Sequence, residues 1–213
     1  MKILLLSASA LTFAAGLLAS APASANVTQI GSQAAFSASG TIAFNSNFDD
    51  FGTGFGFPGD PFTRGDVTYH SASNLTWGSS TGYTTTQPLI GNNFWTPVLG
   101  DIASGPRYSL FGFDIGTYNT SPITITLFTD LGSYVYPNLT IADSAAGMLQ
   151  FMGFAATGEY FTGFDITAVN GPGNLAGITN VQVGHGGPVP EPASMALLGV
   201  GLLGLGLISR KRT

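Results

Sequence analysis

Three carboxylates are the first residues in this sequence with the type to do chemistry, because Asp114, Glu159 and Asp165 lie in or beside strand-like segments. Two carboxyl groups flanking a sugar are what glycoside hydrolysis requires, one as acid and the other as base or nucleophile. Their order along the chain does not fix their separation in space, and acidic residues are routine in a chain of net charge −5. Ser80 is the next candidate, since Gly78-Ser79-Ser80-Thr81-Gly82 fits the G-x-S-x-G nucleophile elbow. An elbow needs a helix after its serine, whereas Tyr83 to Gln87 is rich in β-branched residues and runs into Pro88. The match is one that a Gly/Ser-rich chain produces by chance. Gly54 to Gly59 fits the dinucleotide pattern G-x-G-x-x-G but holds Pro58 and lacks a βαβ unit, and Gly199 to Gly204 fits it inside an apolar run. Asn45 to Asp50 hints at a calcium loop, yet an EF-hand would want Asp at Asn45, Gly at Asp50 and Glu at Gly56. His70 and His185 are the two histidines, and there is no cysteine, so zinc and thiol chemistry have no local signature. Tyr69, Trp77, Tyr83 and Trp95 could stack on sugar rings, although core packing is the commoner employment of such residues. No catalytic residue, metal or cofactor is assigned, and the expectation is a protein that is not an enzyme.

The elements that would position these residues are strands. Charged residues make up 8% of the chain, and no stretch repeats apolar residues at i, i+4 over several turns. In Ile123 to Thr129, Ile123, Ile125 and Leu127 alternate with Thr124, Thr126 and Phe128, between Pro122 and an Asp130-Leu131-Gly132 turn. That is the pattern of a half-buried strand. Further strands are expected at Thr41 to Phe44, Asp66 to His70, Asn74 to Trp77, Tyr108 to Ile115, Ser133 to Tyr136, Leu139 to Ala142, Leu149 to Phe154, Tyr160 to Val169 and Ile178 to Val183. Many short strands joined by polar turns predict an all-β, antiparallel β-sandwich. Leu110 to Ile115 and Phe161 to Ile166 echo each other through a shared Gly-Phe-Asp-Ile, which reads as two equivalent core strands. Between the chain ends only Arg64 and Arg107 are basic, too few to neutralise a phosphate backbone, so a nucleic-acid partner is excluded.

The two ends of the sequence speak to export. Lys2 precedes the apolar run Ile3 to Leu18, and Ala23-Ser24-Ala25 supplies a small-x-small site. Residues 1–25 therefore read as a signal peptide cut by signal peptidase between Ala25 and Asn26. At the other end Pro188-Val189-Pro190-Glu191-Pro192 leads into a Leu/Gly-rich run and then Arg210-Lys211-Arg212. The prolines favour extended, accessible backbone. A helix over residues 193–208 would reach about 24 Å, a short membrane anchor against a roughly 30 Å hydrocarbon core. The basic cluster at Arg210, Lys211 and Arg212 would hold its end cytoplasmic and place the body on the opposite side.

Tripeptide, apolar helix and basic end in this order resemble the PEP-CTERM sorting signal, with Pro190, Glu191 and Pro192 matching its signature. That resemblance implies recognition by exosortase, a membrane protease of Gram-negative bacteria that make exopolysaccharide. It implies export, transient anchoring, removal of the tail, and delivery to the cell surface or extracellular matrix. The three residues would be a substrate site. The segment Gly177 to Gly184 also loosely resembles the closing strand of jelly-roll domains found among PEP-CTERM proteins, but Thr179 stands where their acid would be, so no metal role is carried over. The expected organisation is a signal peptide over 1–25, a jelly-roll-like sandwich over 26–184, a Gly/Pro linker over 185–189 and a sorting and anchor segment with a single membrane helix over 190–213. The expected role is a non-enzymatic surface or exopolysaccharide-matrix protein. The alternatives are a carbohydrate-binding module and an exported polysaccharide hydrolase.

Overall fold

In a computed structural model the described residues are 26–52, 54–78, 89–92, 97–117, 122–141, 149–168 and 176–187. The expected signal peptide and the sorting and anchor segment lie outside them, as do Ser80, Tyr83 and Trp95. Among the described residues the chain forms two antiparallel sheets. The larger runs β1 (Asn26–Ile30), β12 (Gln150–Thr157), β9 (Leu110–Thr117), β14 (Ala176–Gly186), β7 (Leu89–Asn92), β6 (Leu75–Gly78) and β3 (Phe55–Gly56), with β2 (Gly40–Ser46) also paired to β14. The smaller runs β11 (Ser133–Leu139), β10 (Ile123–Thr129), β13 (Phe161–Ala168), β8 (Val98–Ile102), β5 (Val67–His70) and β4 (Phe62–Arg64).

The threonine–aliphatic alternation of Ile123–Thr129 does what its period dictates. Ile123, Ile125, Leu127 and Thr129 are buried, while Phe128 turns outward. The echoing segments are the middle strands of opposite sheets, β9 between β12 and β14, and β13 between β10 and β8. Their aromatics meet in the core: the Phe111 and Phe164 rings stack at 4.9 Å, and Phe113 faces Phe164 at 6.4 Å. Such ring pairs bury the largest apolar areas available to a sandwich and fix how one sheet sits on the other.

Strand β14 has β9 along one edge and two partners end to end along the other, β7 at Gly177–Ile178 and β2 from Val181 to Gly186. A bulge between Thr179 and Gln182, with Asn180 at φ 49°, falls where the partner changes. His185 and Gly186, expected in the linker, are thus paired strand residues. The segments expected separately at Ser133 to Tyr136 and from Leu139 join as one strand, β11.

The sequence reading foresaw no helix in the body, but α1 (Gln33–Ala38) lies on the larger sheet, capped by Ser32, whose hydroxyl accepts from the Ala35 amide at 3.2 Å. Its one buried side chain, Phe36, sits over Gly112 and Gly153 and meets Phe151 edge-on at 5.3 Å. A Cβ on Gly153 would come within 2.7 Å of the Phe36 ring, so the glycine makes room for it. No described helix is long and apolar enough to cross a membrane.

Candidate functional site

The three carboxylates do not converge. Asp114 and Asp165 occupy matching positions in β9 and β13, each flanked by core residues that point inward, Phe113 and Ile115 in one case and Phe164 and Ile166 in the other. Strand alternation therefore sends the two carboxyls to opposite outer faces of the sandwich, with the whole core between them. Asp114 accepts from Asn180 Nδ2 at 3.0 Å, and Asp165 accepts from Thr167 Oγ1 at 2.8 Å. Burial pushes the Asp114 carboxyl above the usual carboxylate range, partly offset by the Asn180 hydrogen bond.

Glu159 is 1% exposed and serves as an acceptor between strands. Thr129 Oγ1 and Tyr134 OH each donate to it at 2.5 Å, one to each carboxylate oxygen. That bond to Glu159 is the main reason the Tyr134 phenol is pushed up to about 12, since the carboxylate favours the protonated phenol. A carboxylate committed in this way ties the β10–β11 turn to the segment before β13.

The aromatics proposed as a sugar face divide. Tyr69 is fully buried, packed against Phe48, Phe62 and Phe164, with burial raising its phenol pKa, and it belongs to the core. Trp77 is half-buried on the inward face of β6, its ring against Phe51 at 5.4 Å and over Gly56 of the neighbouring strand. Arg64 closes this end of the core, its guanidinium 5.0 Å from the Phe51 ring and bonded to Asp50, whose carboxyl it holds below the usual range. Among the described residues the most exposed phenylalanines are Phe55 and Phe57, 56% and 57% exposed, with rings edge to face at 5.4 Å. Sequence reasoning passed over them. Their signal is the run Phe55-Gly56-Phe57-Pro58-Gly59, whose glycines and proline give two phenylalanines few neighbours to hide behind.

The suspected calcium loop is a turn. Asn47 bonds Asp49, the segment Asp49–Phe51 makes one 3-10 turn, and Asp50 is taken by Arg64. Thr179, standing where an acid was sought, is buried and donates to the Asn47 carbonyl at 2.9 Å. His70 Nε2 lies 3.3 Å from Asp101 Oδ2, and the His185 ring lies 5.2 Å from Tyr108. No group of three metal-ligating side chains forms among the described residues.

One shallow groove of about 310 Å³ occupies the end of the sandwich where β14 leaves, lined by Ser39, Ser109, Thr157, Tyr160 and Gly187 among others. The Gly187 amide donates to the Ser39 carbonyl at 2.7 Å, and the Gly186 amide donates to Ser109 Oγ at 2.8 Å, so the chain is held up to the residue before Pro188. Asn26, expected as the first residue after cleavage, opens β1 opposite Thr157 at the same end.

Residues 188–212 match the family model of the PEP-CTERM protein-sorting motif. Pro190, Glu191 and Pro192 fall within that match. No curated protein matches the chain. Among solved structures it is similar to a family 29 carbohydrate-binding module at 12% identity and TM-score 0.40, covering 66% of this chain and 94% of that one. It is also similar to a CBM29-2 mutant complexed with cellulohexaose, at 12% identity and TM-score 0.39, covering 62% and 91%.

Proposed function

From the PEP-CTERM sorting motif that this chain carries, we propose an exported bacterial protein that exosortase sorts at Pro190, Glu191 and Pro192 and that serves as a non-enzymatic component of the cell surface or exopolysaccharide matrix. The observation that carries this reading is the match over residues 188–212, directly after a strand held to Gly187. Signal peptidase acts first, after Ala25, and frees Asn26. The apolar run 193–208 then anchors the chain, with Arg210, Lys211 and Arg212 on the cytoplasmic side. The body is a jelly-roll-like sandwich from Asn26 through Gly186, with a short linker to 189. The non-enzymatic role is supported by the separate employment of Asp114, Glu159 and Asp165, two on opposite faces and one buried as a hydrogen-bond acceptor.

In a host with an active exosortase, wild type is expected to lose its tail by intact mass and to leave the inner membrane, whereas Glu191→Ala keeps both tail and membrane association. Retention of the tail in wild type would reduce the segment to a plain anchor.

Carbohydrate binding is the second reading, favoured by the solvent-facing pair Phe55 and Phe57. Exposed rings stack on the apolar faces of pyranoses. Phe55→Ala with Phe57→Ala is expected to weaken retention on the host's own exopolysaccharide by about tenfold, roughly 1.4 kcal/mol, and to leave thermal stability near that of wild type. Unchanged retention would remove this reading.

A further inference from the structure

The exposed apolar residues of the sandwich are unevenly placed. Of the five large hydrophobic side chains most exposed among the described residues, three sit on the β10–β11 hairpin: Phe128 at 40%, Leu131 at 64% and Val135 at 56%. Leu131 is at the tip of the turn. Phe128 and Val135 stand diagonally across the two strands on one outward face, since Phe128 pairs with Ser133 and Thr126 with Val135.

This tip belongs to the end of the fold from which the sorting segment leaves. The Asp130 amide donates to the Tyr160 carbonyl at 3.0 Å, and the Tyr160 amide donates back to Asp130 Oδ1 at 2.8 Å. Tyr160 lines the same groove as Gly187. Beside it Arg107 is exposed, its guanidinium 5.3 Å from the Tyr160 ring. An aromatic ring with an arginine over it suits the boundary between headgroups and acyl chains, where one part is apolar and the other wet.

The tether makes this placement consequential. Gly187 is pinned to Ser39, and Ala193, where the apolar run begins, comes six residues later. Fully extended, that stretch spans about 20 Å. A polar headgroup layer alone takes up roughly 5–7 Å of it. While the tail is in the membrane, the groove end is thus kept close to the surface, and the far end of β10 and β11 stands about 24 Å beyond it.

We propose that the tethered domain docks on the bilayer that holds its tail, with Leu131 entering the headgroup region, Phe128 and Val135 behind it, and Arg107 and Tyr160 alongside. The proposal rests on the reading of residues 193–208 as a membrane anchor. Docking would hold the Pro190 to Pro192 segment at the membrane surface, where an integral-membrane protease works.

The absence of cysteine from the chain makes the test direct. The full-length chain, carrying a fluorophore on Gly132→Cys or on Thr140→Cys, is incorporated into phosphatidylethanolamine and phosphatidylglycerol vesicles with a spin label high on the acyl chain. A Cβ at Gly132 meets nothing within 4 Å, and Thr140 is exposed at the far end of β11. Quenching at position 132 is expected to exceed that at position 140 by about threefold, and Leu131→Asp with Val135→Asp to abolish most of the difference. A chain that floats with the vesicles but is quenched equally at both positions overturns the docking and leaves the anchor standing. So does a difference that survives both aspartates. A chain that does not float overturns the anchor, and the docking with it.

Discussion

Glu159 shows how little a residue's type says about its employment. A carboxylate near a strand qualifies as a hydrolase acid on paper, yet here it is buried and receives one hydroxyl on each oxygen, from Thr129 and from Tyr134. Removing a donor leaves a buried charge short of a partner, which costs about 1–3 kcal/mol. Thr129→Val is expected to lower unfolding stability in urea by that amount at neutral pH. A loss below about 0.5 kcal/mol would mean that water or another donor replaces the hydroxyl. The Tyr134 bond adds an alkaline signature. Its phenol is raised from 10.0 to about 12, so the contribution is complete below pH 10 and is lost as pH climbs toward 12. Tyr134→Phe should therefore show a flatter stability curve across that window. Nothing in the sequence announces this pairing, since Glu159 comes from a stretch some 25 residues beyond the hairpin that carries Thr129 and Tyr134.

At the scale of elements, legibility followed side-chain contrast. Strand β10 was readable from end to end because threonines alternate with buried aliphatics. Strand β14 was recognised only in its middle, since the outer positions are Ala, Gly and a lone His185, which carry no pattern. Strand β1 was missed because Val27 is its one buried residue, and β8 because Gly100 interrupts its apolar run. That glycine is a packing requirement, as a Cβ there would lie 2.2 Å from the Phe164 ring. Helix α1 escaped because six residues are too few for a period to show. It is nonetheless pinned by Phe36, which fills the space left over Gly112 and Gly153. Phe36→Ala is expected to cost about 3–5 kcal/mol, read by chemical denaturation. Gln33→Ala, which removes a side-chain pair with Gln182, should cost about 1 kcal/mol. Comparable losses from both would point to damage to the helix as a whole.

For the whole molecule, sequence order and spatial order part company in the larger sheet. The sorting motif and the all-β class could be read directly, because a terminal signal is a linear code and strand composition is local. The assembly of the sheets could not, because Thr129 to Glu159 or Phe111 to Phe164 are relations between distant stretches. Strand β14 is the last described strand in the chain, and yet it lies inside its sheet, joining β9 to both β7 and β2. A polypeptide threaded through a membrane pore N-terminus first delivers β14 after every other described strand. Until residue 186 has emerged, β2 lacks its partner and β9 has one open edge. On the export proposed above, translocation would keep the domain from closing early, and the sheet would be completed only as the sorting segment reaches the pore. Under that proposal the topology would serve as a timer, coupling the end of transport to the first moment at which a finished domain can be presented for processing.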